Sequence, residues 1–259
     1  MSRSAETGVC ILTIDLTDHG QVGKSRENMA SDRFDNLRQS LAEAEIPVTW
    51  GINADQVENV RPRPDGRESD DVALVAHADW AGANRRAFTD GLKESLARLD
   101  AAGLHPAALV LRQGAIGAHD DLLVKYGIQM VCVSESRTQG QTVRGWWPRL
   151  RSSVPPTPVR TLRWGLWEVA AGIDLDRDGV RGAERMIDRS SRKGGLAIVV
   201  ASAGLLVSQD RQASRLFEHL SRRRSEGAVR LETLTGFAAC LQTNRSATAA
   251  RSILRSAAA

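Results

Sequence analysis

The sequence predicts an α/β protein: parallel strands covered by outer helices. Three observations predict it. Short apolar runs alternate with stretches of helical periodicity along most of the chain, an order that builds β-α units. The chain has 259 residues, long enough to bury a large core as one domain. Its composition, 42% apolar and 25% charged, is that of a globular protein and not of a disordered or membrane-spanning one. Strand counting fits both a barrel and an open doubly wound sheet, and alternation alone does not choose between them.

The elements follow in order. Val9–Leu16 reads as a strand, and Phe34, Leu37 and Leu41 place a helix over about 32–44. Ile46–Trp50 and Val72–His77 read as the next strands. Phe88, Leu92, Leu96 and Leu99 form one apolar helical stripe, and Gly103 sits where a C-cap belongs. Ala107–Leu111 is a strand, followed by a helix that ends near Tyr126-Gly127 and by the strand Ile128–Val133. Thr161–Val169 reads as one strand carrying Trp164 and Trp167, whose side chains then take opposite faces, one of them in the core. A helix near 179–192, the strand Leu196–Ala201, a helix near 209–226, and a short strand and helix over Leu231–Leu241 complete the pattern. The domain is therefore expected over 9–241, after a polar N-terminus at 1–8 and before an Ala/Ser/Arg tail at 242–259 that is expected to be mobile.

The net charge is +4, and three arginines of the acid-free tail (Arg245, Arg251, Arg255) supply most of it. A nearly neutral body argues against nucleic-acid binding, which needs a concentrated basic face. The run Arg222–Arg224 reads as a solvated helix end. Cys10, Cys132 and Cys240 are scattered, odd in number and mostly set in apolar runs, which reads as reduced core cysteines. No signal-like segment and no membrane-length apolar run is present, so a cytoplasmic location with no membrane partner is expected.

Ligands of parallel α/β sheets gather at the C-terminal strand ends. There the first strand offers Asp15, Asp18 and His19, the third His77 and Asp79, and the fourth Arg112. Carboxylate with imidazole suits zinc and similar cations, although the spacing is not itself a zinc motif. Trp80, Trp146 and Trp147 lie on rim loops, where aromatic faces suit sugar rings. His105, His119 and His219 carry no evident chemical role, and His219 reads as lying on a surface helix.

The ordered set Thr13-Ile14-Asp15, Ile46–Trp50, His77, Leu111-Arg112, Asp121–Ile128 and Gly227–Leu234 resembles the NodB-homology domain of polysaccharide deacetylases over about residues 9–240. The resemblance implies a distorted (β/α) barrel and metal-dependent hydrolysis of N- or O-acetyl groups on sugars. It places Asp15 as catalytic base, Arg112 as the group that orients it and His77 as a metal ligand. The chain departs from the pattern at three points. Leu16 stands where the family has a metal-binding acid, Ala81 where it has a second histidine, and Ala201–Leu206 has no histidine for the general acid. One family ligand of three is matched. Asp18, His19 and Asp79 could join His77 in an altered site holding a divalent metal at low occupancy; in the alternative, Asp18 and His19 form a turn, and Asp15 with Arg112 a buried ion pair. The expected partner is an acetylated sugar or glycan precursor, met either by a deacetylase or by a metal-free binding protein.

Overall fold

A computed structural model describes residues 7–16, 27–57, 70–76, 80, 84–112, 119–133 and 159–244. Its strands are β1 (Gly8–Asp15), β2 (Val48–Ile52), β3 (Asp71–Ala76), β4 (Ala108–Leu111), β5 (Met130–Val133), β6 (Val159–Thr161), β7 (Trp167–Ala170), β8 (Ile173–Asp174), β9 (Leu196–Ser202) and β10 (Val229–Glu232). The helices are α1 (Glu27–Glu43), α2 (Arg85–Ala101), α3 (Asp120–Lys125), α4 (Leu175–Lys193), α5 (Ala203–Ser208) and α6 (Asp210–Ser225), and residues 234–244 form α7.

The strands join in the order β6-β7-β5-β4-β3-β2-β1-β9-β8. Every pairing is parallel except β6 with β7. β1 is the pivot. One flank pairs with β9; the other pairs with β10 over Gly8–Ile11 and with β2 over Leu12–Asp15. The result is a mostly parallel, curled half-barrel, the distorted (β/α) barrel that the resemblance implies.

Strand alternation sorts the apolar side chains into two cores. Cys10, Leu12, Ile14, Leu74, Leu109, Val131 and Val199 face outward to the helices. Ile11, Val75, Val110, Cys132, Val169 and Val200 fill the inside of the curl. Helix α7 closes that interior with Leu234, Phe237 and Ala238. Its first turn is pinned by strand residues: Leu234 N donates to Thr49 Oγ1 at 2.9 Å and Thr235 N to Asp71 Oδ2 at 3.0 Å. Burial pushes the Asp71 carboxyl up despite the hydrogen bonds it accepts from Thr235 and Val72.

The structure differs from the sequence expectation in four places. The run 161–169 is not one strand but a hairpin, turned at Trp164 (φ 64°) and Gly165 (φ 82°) and closed by Leu162 N to Leu166 O at 2.7 Å. A tryptophan, not an asparagine, precedes the turn glycine, and that hid the turn. Trp164 is 72% exposed at the tip, and Trp167 packs against the inner core. α4 begins at Leu175, not near 179, because Asp174 caps it by accepting from Asp176 N. Gly179, at φ 68°, interrupts that helix after one turn. Ser202 caps a short extra helix, α5, ahead of α6. His219 is 6% exposed, not on a free surface, because α6 turns it toward α4 and Asp188. Cys10 and Cys132 are buried free thiols pushed up to about 12 by burial, and Cys240 is free and half-buried. Among the described residues, no helix is long and apolar enough to cross a membrane.

Candidate functional site

Asp15 ends β1 on the inward alternation of Ile11 and Thr13, and Arg112 follows β4 on the inward alternation of Ala108 and Val110. Both side chains therefore enter the mouth of the curl at the C-terminal strand ends. Arg112 spans the width of β2 and β3 to donate from Nε to Asp15 Oδ2 at 2.5 Å. The Asp15 side chain is 1% exposed and that of Arg112 is 28% exposed, so the carboxylate is the deeper partner. Burying a charge at that depth requires a fixed counter-charge, and the guanidinium supplies it. A second N–H group of Arg112, at Nη2, is buried without a hydrogen-bond partner, so one strong donor is unspent beside the carboxylate. Thr13 Oγ1, one inward position deeper on β1, is likewise buried without a partner.

Two further acids reach this pair, and sequence reasoning missed them. Burial would lower the Arg112 pKa, but Asp15, Asp174 and Asp176 together hold it above its ordinary value. Asp174 ends β8 in register with the inward Val200. Asp176, in the first turn of α4, accepts from Ser202 Oγ at 3.0 Å and from Ser202 N at 3.3 Å. Ser202 is itself the register partner of Asp15 across β1 and β9. The alternation of acids in Asp174-Leu175-Asp176 is visible in the sequence. A two-residue strand feeding a capped helix is what brings them to the mouth, and no periodicity reveals so short a strand.

The described residues do not fit a divalent cation. Among them, no group of three or more His, Cys, Asp or Glu could hold one. Leu16, at the family's metal-acid position, is 2% exposed and packs in the outer core, offering neither a donor atom nor the right direction. At the end of β9 stands Ser202, engaged with Asp176 and with Leu205 N. His77, Asp18, His19 and Asp79, the expected altered ligand set, lie outside the described residues, as do Trp146 and Trp147.

Trp80 lies four residues past the end of β3. It seats against Gly91 of α2 and meets Phe88 edge to face, with ring centroids 5.4 Å apart. Phe88 in turn packs on the His119 ring at 4.7 Å. Of the sequence-derived residues, Asp15 and Arg112 thus come into direct contact, and Trp80 stands at the same end of the strands on the helix side.

No protein-family model matches the chain, and no curated protein matches it in sequence. Its fold does have relatives among solved structures. A Mycobacterium smegmatis protein assigned as a polysaccharide deacetylase superposes with a TM-score of 0.72 at 14% identity, covering 95% of this chain and 94% of that one. The peptidoglycan deacetylase PdaC of Bacillus subtilis gives 0.51 at 13% identity, over 96% and 98% of the two chains. A mutant of BA3943, a pseudoenzyme of the CE4 family from Bacillus anthracis with restored enzymatic activity, gives 0.50 at 10% identity, over 90% and 68%. The chain is thus built on the fold of the polysaccharide deacetylases, one shared by enzymes and by a pseudoenzyme.

Proposed function

We propose that this protein is a polysaccharide deacetylase-like member of carbohydrate metabolism, and that its mouth receives the acetyl group of an acetylated sugar or glycan precursor. One observation carries the reading: on this fold, a nearly inaccessible carboxylate, Asp15, is clamped by Arg112 at the C-terminal ends of the strands. In the hydrolytic reading Asp15 is the base that takes a proton from water attacking an acetyl amide or ester and returns it to the leaving amine or alcohol as the acyl C–N or C–O bond breaks, releasing acetate. Arg112 holds the carboxylate in one orientation, and its unspent N–H group is a donor suited to charge developing on an acetyl oxygen. The charges of Asp174 and Asp176 add to that of Asp15 in holding Arg112 protonated. The notion of a zinc-like cation rests on His77 with Asp18, His19 and Asp79, and no step of this scheme runs through a metal. Trp80, Trp146 and Trp147 are the proposed sugar-facing aromatics. Reduced, buried cysteines support action in the cytoplasm on a precursor.

A second reading has its own support. Leu16 in the outer core and Ser202 at the end of β9 remove a ligand and an acid that the family chemistry uses, which favours a metal-free protein that binds the glycan without cleaving it. Acetate release from acetylated oligosaccharides, run with metal analysis of the purified full chain, separates the two. Release that is abolished in Asp15→Asn supports hydrolysis. Binding without release, and without stoichiometric metal, supports the second reading. Absence of both binding and release removes the proposal.

A further inference from the structure

We propose that the groove between the end of β2 and the middle of α2 is a subsite for one sugar ring, adjoining the mouth at Asp15. The inference rests on the reading of an acetylated glycan as the ligand and assigns where a neighbouring residue of that glycan sits.

The groove has a volume of about 180 Å³, lined by Asn53, Asp55, Trp80, Glu94, Ser95 and Arg98. That is below the ~300–1,000 Å³ of a pocket for a whole small molecule, and it suits a single ring. Its place follows from register. Gly51 pairs with Asp15, and Asn53 comes two residues later, where the chain leaves the sheet. A chain of sugars with one acetyl group at Asp15 meets this groove at the same end of the barrel.

The groove combines an aromatic plate with a polar fork. Arg98 bridges Asp55 and Glu94, contacting Glu94 Oε1 at 2.6 Å. The Arg98 and Glu94 side chains are 48% and 66% exposed, so they meet solvent at the groove. Exposed ion pairs add little to stability, about 0.2–1 kcal/mol each, so fold stability alone gives slight reason for the trio. Planar guanidinium and carboxylate groups beside an indole face match the alternating C–H faces and hydroxyl edges of a pyranose.

Gly91 is the independent sign that Trp80 is placed deliberately. It lies inside α2, where glycine is unfavourable for the helix. A Cβ at that position would stand 2.5 Å from Trp80 Cγ and 2.8 Å from Trp80 Cβ. The helix gives up a better residue at the spot that seats the indole, and the indole stays part-exposed as a wall of the groove.

The test is calorimetric titration of N-acetylglucosamine oligomers of one to four units into the full chain and into variants carrying Ser95→Trp, Arg98→Ala or Asp15→Asn. If the groove is a subsite, the tetramer binds more tightly than the monomer. Ser95→Trp, which fills the groove from a half-buried position on α2, then weakens the tetramer roughly tenfold and leaves the monomer unchanged. Arg98→Ala weakens the tetramer in the same direction, with thermal melting confirming that both variants fold. Equal affinity for all lengths, an unaltered tetramer in both groove variants, or no binding by the wild-type chain overturns the subsite. Acetate release that persists unchanged in the groove variants defeats the subsite and spares the function. Length-dependent binding without any release, retained in Asp15→Asn, defeats the hydrolytic reading and spares the subsite.

Discussion

Asp15 is 1% exposed and ion-paired with the Arg112 guanidinium, so its energetics include those of a buried ion pair. Arg112→Met strips that counter-charge from the carboxylate and is expected to destabilise the protein by about 3–5 kcal/mol. Adding Asp15→Asn to the same chain should recover much of the loss, and urea unfolding of the single and double variants checks both. Gly91→Ala sets two effects against each other. Alanine favours a helix interior by ~1 kcal/mol, yet its Cβ would collide with the Trp80 ring. A lower melting temperature and an altered near-ultraviolet circular dichroism signal are expected, because the collision is with a ring packed on Phe88. Asp15 and Arg112 were legible in the sequence because one closes and the other directly follows a largely apolar strand, where parallel sheets present their chemistry. Asp174, Asp176 and Ser202 were not, because their convergence depends on a two-residue strand and two helix caps.

At the scale of elements, α4 and α6 are joined by charge. Arg223 donates twice to Asp188 Oδ1, at 2.8 and 2.6 Å, and His219 Nε2 stands 3.1 Å from the same oxygen. Arg222 donates to His219 Nδ1, which assigns the imidazole proton to Nε2, facing Asp188. Partial burial would raise the Asp188 pKa, but Arg223 and His219 bring it below the ordinary carboxylate value. A depressed carboxyl contributes stability that is present above its unfolded pKa of about 3.9 and is lost as pH falls through the lower folded value. Asp188→Asn should therefore lower stability at pH 7 by about 1–3 kcal/mol, with the gap to wild type closing as pH drops below 4 in urea titrations. The β6–β7 turn gives a prediction of opposite sign. Trp164 holds a left-handed conformation that favours glycine and is largely exposed, so Trp164→Gly is expected to stabilise by roughly 0.5–1 kcal/mol in thermal melts. The hairpin was illegible in the sequence because a tryptophan, not an asparagine, precedes the turn glycine.

For the whole molecule, the interior of the curled sheet is an apolar column. Asp15 and Arg112 cap it at the C-terminal strand ends, and α7 caps it at the other. Phe237 is 8% exposed within that column, and Phe237→Ala should cost about 3–5 kcal/mol in chemical unfolding. The β-α alternation made the general architecture readable. The choice of a curled barrel over an open sheet lay instead in how β1 divides one flank between β10 and β2, a long-range fact that local patterning does not encode. The mouth at Asp15 is where the acetyl group is proposed to sit. Saturation-transfer NMR on an N-acetylglucosamine tetramer reads this from the ligand side. Strong transfer to the acetyl methyl protons with the wild-type chain, lost in Asp15→Asn while the ring protons still receive it, is the predicted result. Transfer to the acetyl methyl that is absent from the wild type, or unchanged by Asp15→Asn, would contradict it.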